Sequence, residues 1–407
     1  MCFLRFLMQA RSTLSRYVPE RTTTDSARKL HLVIGNESCD LDSAVSAVTL
    51  AFIYAQRQQE HDYVPVLNIP RIDYPLKTEV GHMFNKCDIN EEMLLFRDDL
   101  PNQLASDIDV ILVDHHISQL AANVSEILDH RPLEQNAVMQ LLPAHCVRQI
   151  EPEIGSCATL VGERYLAEEQ PRSSRVTQLL HATILLDTIN FSSAAKRFCP
   201  SDLLMVDQLE QMQQHSDDSS EEGNIRRRQQ LFDELVTARA DISKLSLTEV
   251  LRKDMKQLQT ERHTVPIAGL PMLARDFIEK SDAELAIRQF AAGSNLLVIL
   301  GMLVPPQTGG GQVQRDVALI SLTGQRQLVE RVRLALLESQ SPPLQLHPHE
   351  VETNFLGGCY LRQHNVQATR KHILPIIKQV LVDLEASHLC DCDDVYFFKE
   401  KPKLGLS

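Results

Sequence analysis

The stretch VILVDHH, residues 110–116, decides how the rest of the chain is read. Its four apolar residues leave no polar face, the pattern of a strand buried on both sides of a parallel sheet. The strand stops at Asp114, His115 and His116. In open parallel sheets, ligands collect beyond the carboxyl ends of the strands. An acid and two imidazoles therefore stand where such a sheet does chemistry.

Similar punctuation appears on either side. HLVIG (31–35) reads as a buried strand, followed by GNESCDLDS (35–43) with Asp40 and Asp42 two apart in the turn. LDHRP (128–132) ends the strand EILD (126–129) in Asp129, His130 and Arg131. YVPVLNI (63–69) and MLLFR (93–97) read as further strands. Apolar residues at helical spacing predict helices over 42–57, 156–168 and 174–189, the last closing on Asp187 in ILLDTINF. Strand–helix alternation predicts an α/β fold, a parallel sheet covered by helices on both faces.

The polar stretch QQHSDDSSEEGNIRRRQQ (213–230) has no apolar periodicity and reads as a linker or exposed loop. Beyond it lies a second, smaller α/β region. Helices are expected over 248–258, 274–280, 282–291, 326–338 and 371–385, and strands over 296–304 and 317–322, with PPQTGGGQ (305–312) as a flexible connection. The expected organisation is an extension (1–29), a first domain (30–212), a linker (213–235), a second domain (236–390) and a tail (391–407).

Composition narrows the function. The 407 residues carry 41 Lys+Arg against 54 Asp+Glu, a formal net charge of -13. That balance argues against sequence-independent binding of nucleic-acid polymers, which relies on a basic surface. With no Trp and 5% aromatic residues, stacking platforms for single strands are not expected. No apolar run is long enough to span a membrane. Nine scattered Cys residues read as reduced thiols of an intracellular protein. The first 29 residues hold Arg5, Arg11, Arg16, Arg21, Arg28 and Lys29, and no acid before Glu20. This is the composition of a mitochondrial transit peptide, with a frayed terminus as the plainer alternative. Mitochondrial matrix and cytoplasm are the expected locations.

Taken singly, each strand-end acid could be a helix cap, and each His an ordinary hydrogen-bonded side chain. Together they say more. Carboxylates gathered at one sheet edge repel one another unless cations sit among them. An acid ending an otherwise hydrophobic helix, as Asp187 does, costs several kcal/mol if unpaired. Oxygen ligands with a few imidazoles suit Mg²⁺ or Mn²⁺ better than zinc. Two such ions sharing a carboxylate form a phosphoester- or phosphoanhydride-cleaving centre. GSCATLV (155–161) has two readings, an anion-binding helix start or a capped helix packed by small residues, and the second is preferred. GGG at 309–311 lacks the Lys of a phosphate-binding loop.

Asp-His-His after a hydrophobic strand, an Asp-x-Asp before it, and an Asp-His and a later Asp after it resemble the DHH phosphoesterase superfamily. GNESCDLDSAVSA, PVLNIPR, ILVDHH, LDHRP and GSCATLV carry that resemblance. LRKDMKQL (251–258) and ATRKHILP (368–375) resemble the second domain of its manganese-type pyrophosphatases and exopolyphosphatases. The match spans roughly residues 30–385. It implies a two-domain phosphohydrolase with its site in the cleft between a parallel-sheet domain and a mixed-sheet domain.

It also implies roles. Asp40 and Asp42 would each bind a metal ion, Asp114 would bridge two ions (Mn²⁺ or Mg²⁺), and His130 and Asp187 would complete the second. His115 would act beside the bridge. Lys256, Arg370 and Lys371 would bind phosphate. Two departures bear on the substrate. The pyrophosphatases have His where this chain has Asn36, a poorer ligand, and a second His where it has Arg131, which clamps phosphate but cannot shuttle a proton. The resemblance therefore implies hydrolysis of short-chain polyphosphate or of a cyclic nucleotide such as cAMP, with inorganic pyrophosphate as the alternative. It further implies nucleoside diphosphate kinase as a partner. A regulatory binding protein with minor catalysis is the competing reading.

Overall fold

The structure, a computed structural model, describes residues 2–17, 28–101, 108–134, 136–168, 172–213, 220–303, 312–349 and 354–393. Most of the connection expected at 305–312 and nearly all of the tail lie outside these residues. The chain divides into two compact units, Met1–Asp241 and Ile242–Ser407.

The first unit runs α1 (Phe3–Leu14), β1 (Leu30–Ile34), α2 (Leu41–Arg57), β2 (Asp62–Val66), α3 (Thr78–Lys86), β3 (Asp109–Val113), β4 (Val124–Asp129), β5 (Val147–Ile150), α4 (Cys157–Leu166), α5 (Ser174–Asp187), α6 (Pro200–Gln213) and α7 (Glu221–Ala240). Its five strands are all parallel, in the order β2-β1-β3-β4-β5. The order reverses between β1 and β3, which makes the ends of those two strands the switch point where such sheets bind ligands. Val33, Ile111, Val113 and Leu128 pack against the apolar sides of α2, α4 and α5. Leu30, Leu32, Ile34, Val110 and Leu112 face the other way. That second face is covered by Ala10 and Leu14 of α1 and by side chains such as Leu95, Leu120 and Leu142. Expected helices on both faces are thus replaced, on one, by α1 and irregular segments.

Gly35 makes the β1–α2 turn possible. A Cβ there would stand 2.1 Å from Ser43 Oγ and 2.7 Å from the Ser43 carbonyl oxygen. MLLFR does not form a ladder strand: Phe96 makes a single bridge with Leu67. Its Leu94, Leu95 and Phe96 are buried because the segment lies against the core, not because it pairs along its length.

The expected linker contains a helix. Ser220 caps α7 by accepting from Gly223 N at 3.1 Å. Only Gly223 and Leu235 of its 20 residues are buried, which is why no apolar periodicity was visible. Ion pairs fasten it to α3 instead: Glu234 accepts from His82 Nε2 at 2.6 Å and from Lys86 Nζ at 2.7 Å. The N-terminal segment is not frayed over its described part. Phe3 and Phe6 meet Phe52 of α2 with ring centroids 5.0 and 5.6 Å apart. Arg11 bonds Asp99 at 2.7 Å and Arg16 bonds Asp62 at 3.0 Å.

The second unit runs α8 (Leu247–Lys253), β6 (Met255–Gln259), β7 (Thr264–Leu270), α9 (Ala274–Ile278), α10 (Ala283–Phe290), β8 (Leu297–Leu303), β9 (Gln314–Ile320), α11 (Arg326–Glu338), β10 (Leu346–Pro348), β11 (Cys359–Gln363) and α12 (Arg370–Asp393). Its mixed sheet has the order β10-β11-β9-β8-β7-β6, with β7 and β8 the parallel pair. Leu251, Phe277 and Ile287 pack on one face, and Val332, Ile373 and Ile377 on the other. The helix expected over 248–258 stops at Lys253. Residues 255–259 leave it to pair antiparallel with β7, so tertiary pairing overrides local helix propensity.

Candidate active site

Four acids and an imidazole converge beyond the carboxyl ends of β1, β3 and β4. Asp40 is the N-cap of α2, accepting from Ser43 N at 3.2 Å. Asp42 lies in the first turn of that helix, not in the preceding turn as expected, and is buried. It is held by the start of α4: Cys157 N donates at 2.7 Å, Ala158 N at 2.8 Å and Ser156 Oγ at 2.9 Å. GSCATLV is therefore both things weighed for it. Ser156 caps α4, and the helix start binds an anion, the chain's own Asp42. The positive end of the helix favours that charge.

Asp114 directly follows β3 and is fully buried. Its φ of 60° is left-handed, a strained setting for a residue with a Cβ. Its amide donates to Leu128 O at 2.9 Å, which fixes the turn. Asn36 Nδ2 donates to Asp114 Oδ2 at 2.6 Å. Arg131 Nε and Nη2 both lie 3.3 Å from Oδ1. Even so, burial above all, and then the neighbouring Asp42 charge, push the Asp114 carboxyl up to about 7.

His130 donates through Nδ1 to Ile154 O at 3.1 Å. That bond leaves Nε2 facing Asp114 Oδ1 at 3.2 Å and Asp42 Oδ2 at 3.5 Å. Burial lowers the proton affinity of the ring, but the two carboxylates outweigh it and raise its pKa. One ligand atom from each of Asp42, Asp114 and His130 falls within a span of 4.8 Å. Asp187 ends α5, where the helix dipole disfavours a carboxylate. Its pKa is driven well up by burial and then by Asp42 and Asp40. These groups call for a cation. The donor set, carboxylates with one backbone-anchored imidazole, fits Mn²⁺ or Mg²⁺.

The two adjacent histidines differ. His116 is buried, with Nδ1 on Asp129 Oδ2 and Nε2 accepting from Glu134 N at 3.0 Å. Both its nitrogens are used, so it is structural. His115 has Nδ1 on Val113 O at 3.0 Å, and burial lowers its pKa, keeping the ring neutral. Its Nδ1 is spent on the backbone of its own strand. Asp129 Oδ1 accepts from His130 N at 2.8 Å and Arg131 N at 3.1 Å, so it shapes the turn that aims both side chains.

Two supporting residues were not singled out from sequence. Asn36 was noted only as a departure, yet it is a donor to the central acid. Asp202, fully buried, binds Gly155 N at 2.9 Å and Thr159 Oγ1 at 2.6 Å, and so positions the α4 start. It lies in a polar helix start 47 residues from Gly155, and no local signal marks it.

Lys256, Arg370 and Lys371 belong to the second unit. Lys256 is exposed on edge strand β6, not on a helix. Arg370 opens α12 and binds Asp254 through Nη1 to the carbonyl and Nη2 to Oδ1, both at 2.9 Å. That pairing places Arg370 beside the start of β6. Asp254 thus supplies an anionic partner for Arg370 at the start of α12, where the helix dipole disfavours a cation. Lys371 is exposed.

The DHHA2 domain family matches residues 233–380. Exopolyphosphatase PRUNE1 of Homo sapiens is 34% identical over 373 residues, covering 89% of this chain and 78% of that protein. The protein of the same name from Bos taurus is 33% identical over 371 residues, with the same shares. A solved exopolyphosphatase-related protein from Bacteroides fragilis aligns at TM-score 0.38 and 13% identity, over 92% of this chain and 96% of that one.

Proposed function

The chain belongs to the prune family of exopolyphosphatases, within the DHH phosphoesterase superfamily, and on that premise we propose that it is a two-metal phosphohydrolase that removes terminal phosphate from short-chain polyphosphate. The observation that carries the proposal is the convergence of Asp42, Asp114 and His130 at the sheet's switch point, with Asp40 and Asp187 beside them.

In this reading Asp40, Asp42, Asp114, His130 and Asp187 would hold the two ions. Two divalent ions there supply Lewis-acid activation of water and charge neutralisation of the phosphoryl oxygens. The chain's own residues do the rest. Ser156 and the amides of Cys157 and Ala158 hold Asp42 in place. Asn36 and Arg131 fix Asp114. Arg131, with its side chain 48% exposed, has guanidinium donors left to grip a phosphate oxygen. His115 Nε2 takes a proton. Lys256, Arg370 and Lys371 bind substrate or leaving phosphate.

Asn36 spends its amide on Asp114, which weighs against the tight first-metal site of a pyrophosphatase. Hydrolysis of cAMP is a second reading that the same two-metal chemistry would serve. A nucleoside diphosphate kinase partner is compatible with either. Four acids gathered at one sheet edge favour catalysis over a purely regulatory role. The test is phosphate or AMP release by the full chain from tripolyphosphate, pyrophosphate and cAMP, with Mg²⁺ or Mn²⁺. We expect kcat/KM for tripolyphosphate to exceed the other two by about tenfold or more, a transition-state difference of about 1.4 kcal/mol. A higher value for pyrophosphate or cAMP would reassign the substrate.

A further inference from the structure

We propose that the loop between α5 and α6 is a specificity element, and that Lys196 and Arg197 on it bind the distal phosphates of a longer polyphosphate. The inference rests on the phosphohydrolase reading above and deepens it.

The loop starts at Asp187, one of the site's acids. Ile189, Asn190 and Phe191 follow with φ of 53°, 47° and 58°, and Lys196 has φ 50°. Left-handed backbone is unfavourable for any residue with a Cβ, most of all a β-branched one. Three such residues in a row persist only where their surroundings dictate the conformation. Here they do. Asn190 N donates to Leu185 O at 2.8 Å, and its Nδ2 donates to Gln229 Oε1 of α7 at 2.8 Å. Phe191 packs edge-on against Phe198, ring centroids 5.4 Å apart.

Both ends of the loop meet at Gly155. A Cβ on that glycine would lie 2.3 Å from Arg197 O and 2.8 Å from the Thr188 methyl. Asp202 Oδ2 accepts from Cys199 N at 2.8 Å and from Gly155 N at 2.9 Å, locking the returning strand of the loop to the α4 start. The next residue, Ser156, is one of the donors to Asp42. The loop therefore runs from one site acid, Asp187, to the supporting Asp202, and is held against the segment that positions Asp42.

What it displays is positive. Lys196 and Arg197 are exposed. Among the described residues neither forms an ion pair. In a chain of net charge -13, two unpaired cations on a rigid loop beside an acidic centre fit a ligand of repeating negative charge. The terminal phosphate would sit at the acids with their ions, and the following phosphates would reach the loop.

The test uses the full chain with Lys196→Asn and Arg197→Gln together, since Asn tolerates the left-handed position. Tripolyphosphate and a longer linear polyphosphate are the substrates. We expect kcat/KM to fall about threefold on tripolyphosphate and about tenfold or more on the longer chain, through KM, with a weaker salt dependence than wild type. Arg197→Glu, which leaves Lys196 untouched, should exaggerate the same length dependence. Direct binding of the longer chain to Asp114→Asn protein should weaken about tenfold when the loop changes are added. Equal losses on both substrates, a loss confined to kcat, or unchanged binding would overturn the inference. A wild-type chain inactive on both polyphosphates would instead remove the function on which it rests.

Discussion

Asp42 and Asp114 are two buried carboxylates with different support. Asp42 receives two backbone amides and a hydroxyl from the start of α4. Asp114 receives a neutral amide and an Arg that is itself half in solvent, and its pKa rises to about 7 through burial and the Asp42 charge. The first is held by the protein's own donors; the second is left for a cation. Asn36 sits at 2.6 Å from Asp114 Oδ2 as a donor, where an imidazole could be a ligand. Asn36→His is expected to tighten the first metal ion about tenfold, about 1.4 kcal/mol, by calorimetric titration with Mn²⁺. An unchanged affinity would show that position 36 does not reach the ion. At this scale the acids were legible because they punctuate apolar strands. Asp129 and Asp202 were not legible as supports, because their partners are backbone amides brought to them by tertiary structure.

Among the elements, α7 shows most clearly what periodicity misses. It is held by charge as much as by apolar contact. Glu210 of α6 accepts from His181 Nε2 of α5 at 2.9 Å and from Arg228 Nη2 of α7 at 2.7 Å. Burial alone would raise the Glu210 pKa, but these two donors hold it down at about 2. A depressed carboxylate contributes stability that is fully present above its unfolded pKa, about 4.3, and is lost as pH falls towards 2. Glu210→Gln should therefore cost about 1–2 kcal/mol at pH 7, after discounting for solvent screening. In urea titrations the gap to wild type should narrow steadily below about pH 4.3. A gap independent of pH would mean that shape, not charge, joins these three helices. The parallel strands β1, β3 and β4 were readable from their apolar runs. The mixed sheet was read only in part: β6 and β10 are short edge strands defined by pairing, and β7 and β11 were passed over although β7 is apolar and buried, its run broken by Pro266 and Gly269.

Over the whole molecule, sequence correctly gave two α/β regions, one with a parallel and one with a mixed sheet. The start of the first region is packed and not frayed over its described part. Residues expected as a leader or a frayed end include α1, whose Phe3, Phe6, Leu7, Ala10 and Leu14 are buried in the first unit. An amphipathic, arginine-rich helix has the same composition whether it is an address or a structural element. The packing of α1 shows a structural contribution, and its role as an address is a separate question of localisation. Phe6→Ala is expected to destabilise the first unit by about 3 kcal/mol, the usual scale for emptying a buried aromatic site. A change below about 0.5 kcal/mol, the range of surface substitutions, would mean that α1 is dispensable to the fold.

The most direct measurement is metal-dependent phosphate release from tripolyphosphate by the full wild-type chain beside Asp114→Asn, both checked for native secondary structure. We expect turnover that requires Mn²⁺ or Mg²⁺ and falls about a thousandfold or more in the variant, about 4 kcal/mol of transition-state stabilisation. Turnover retained within about tenfold, a difference of about 1.4 kcal/mol, would contradict a centre built on Asp114.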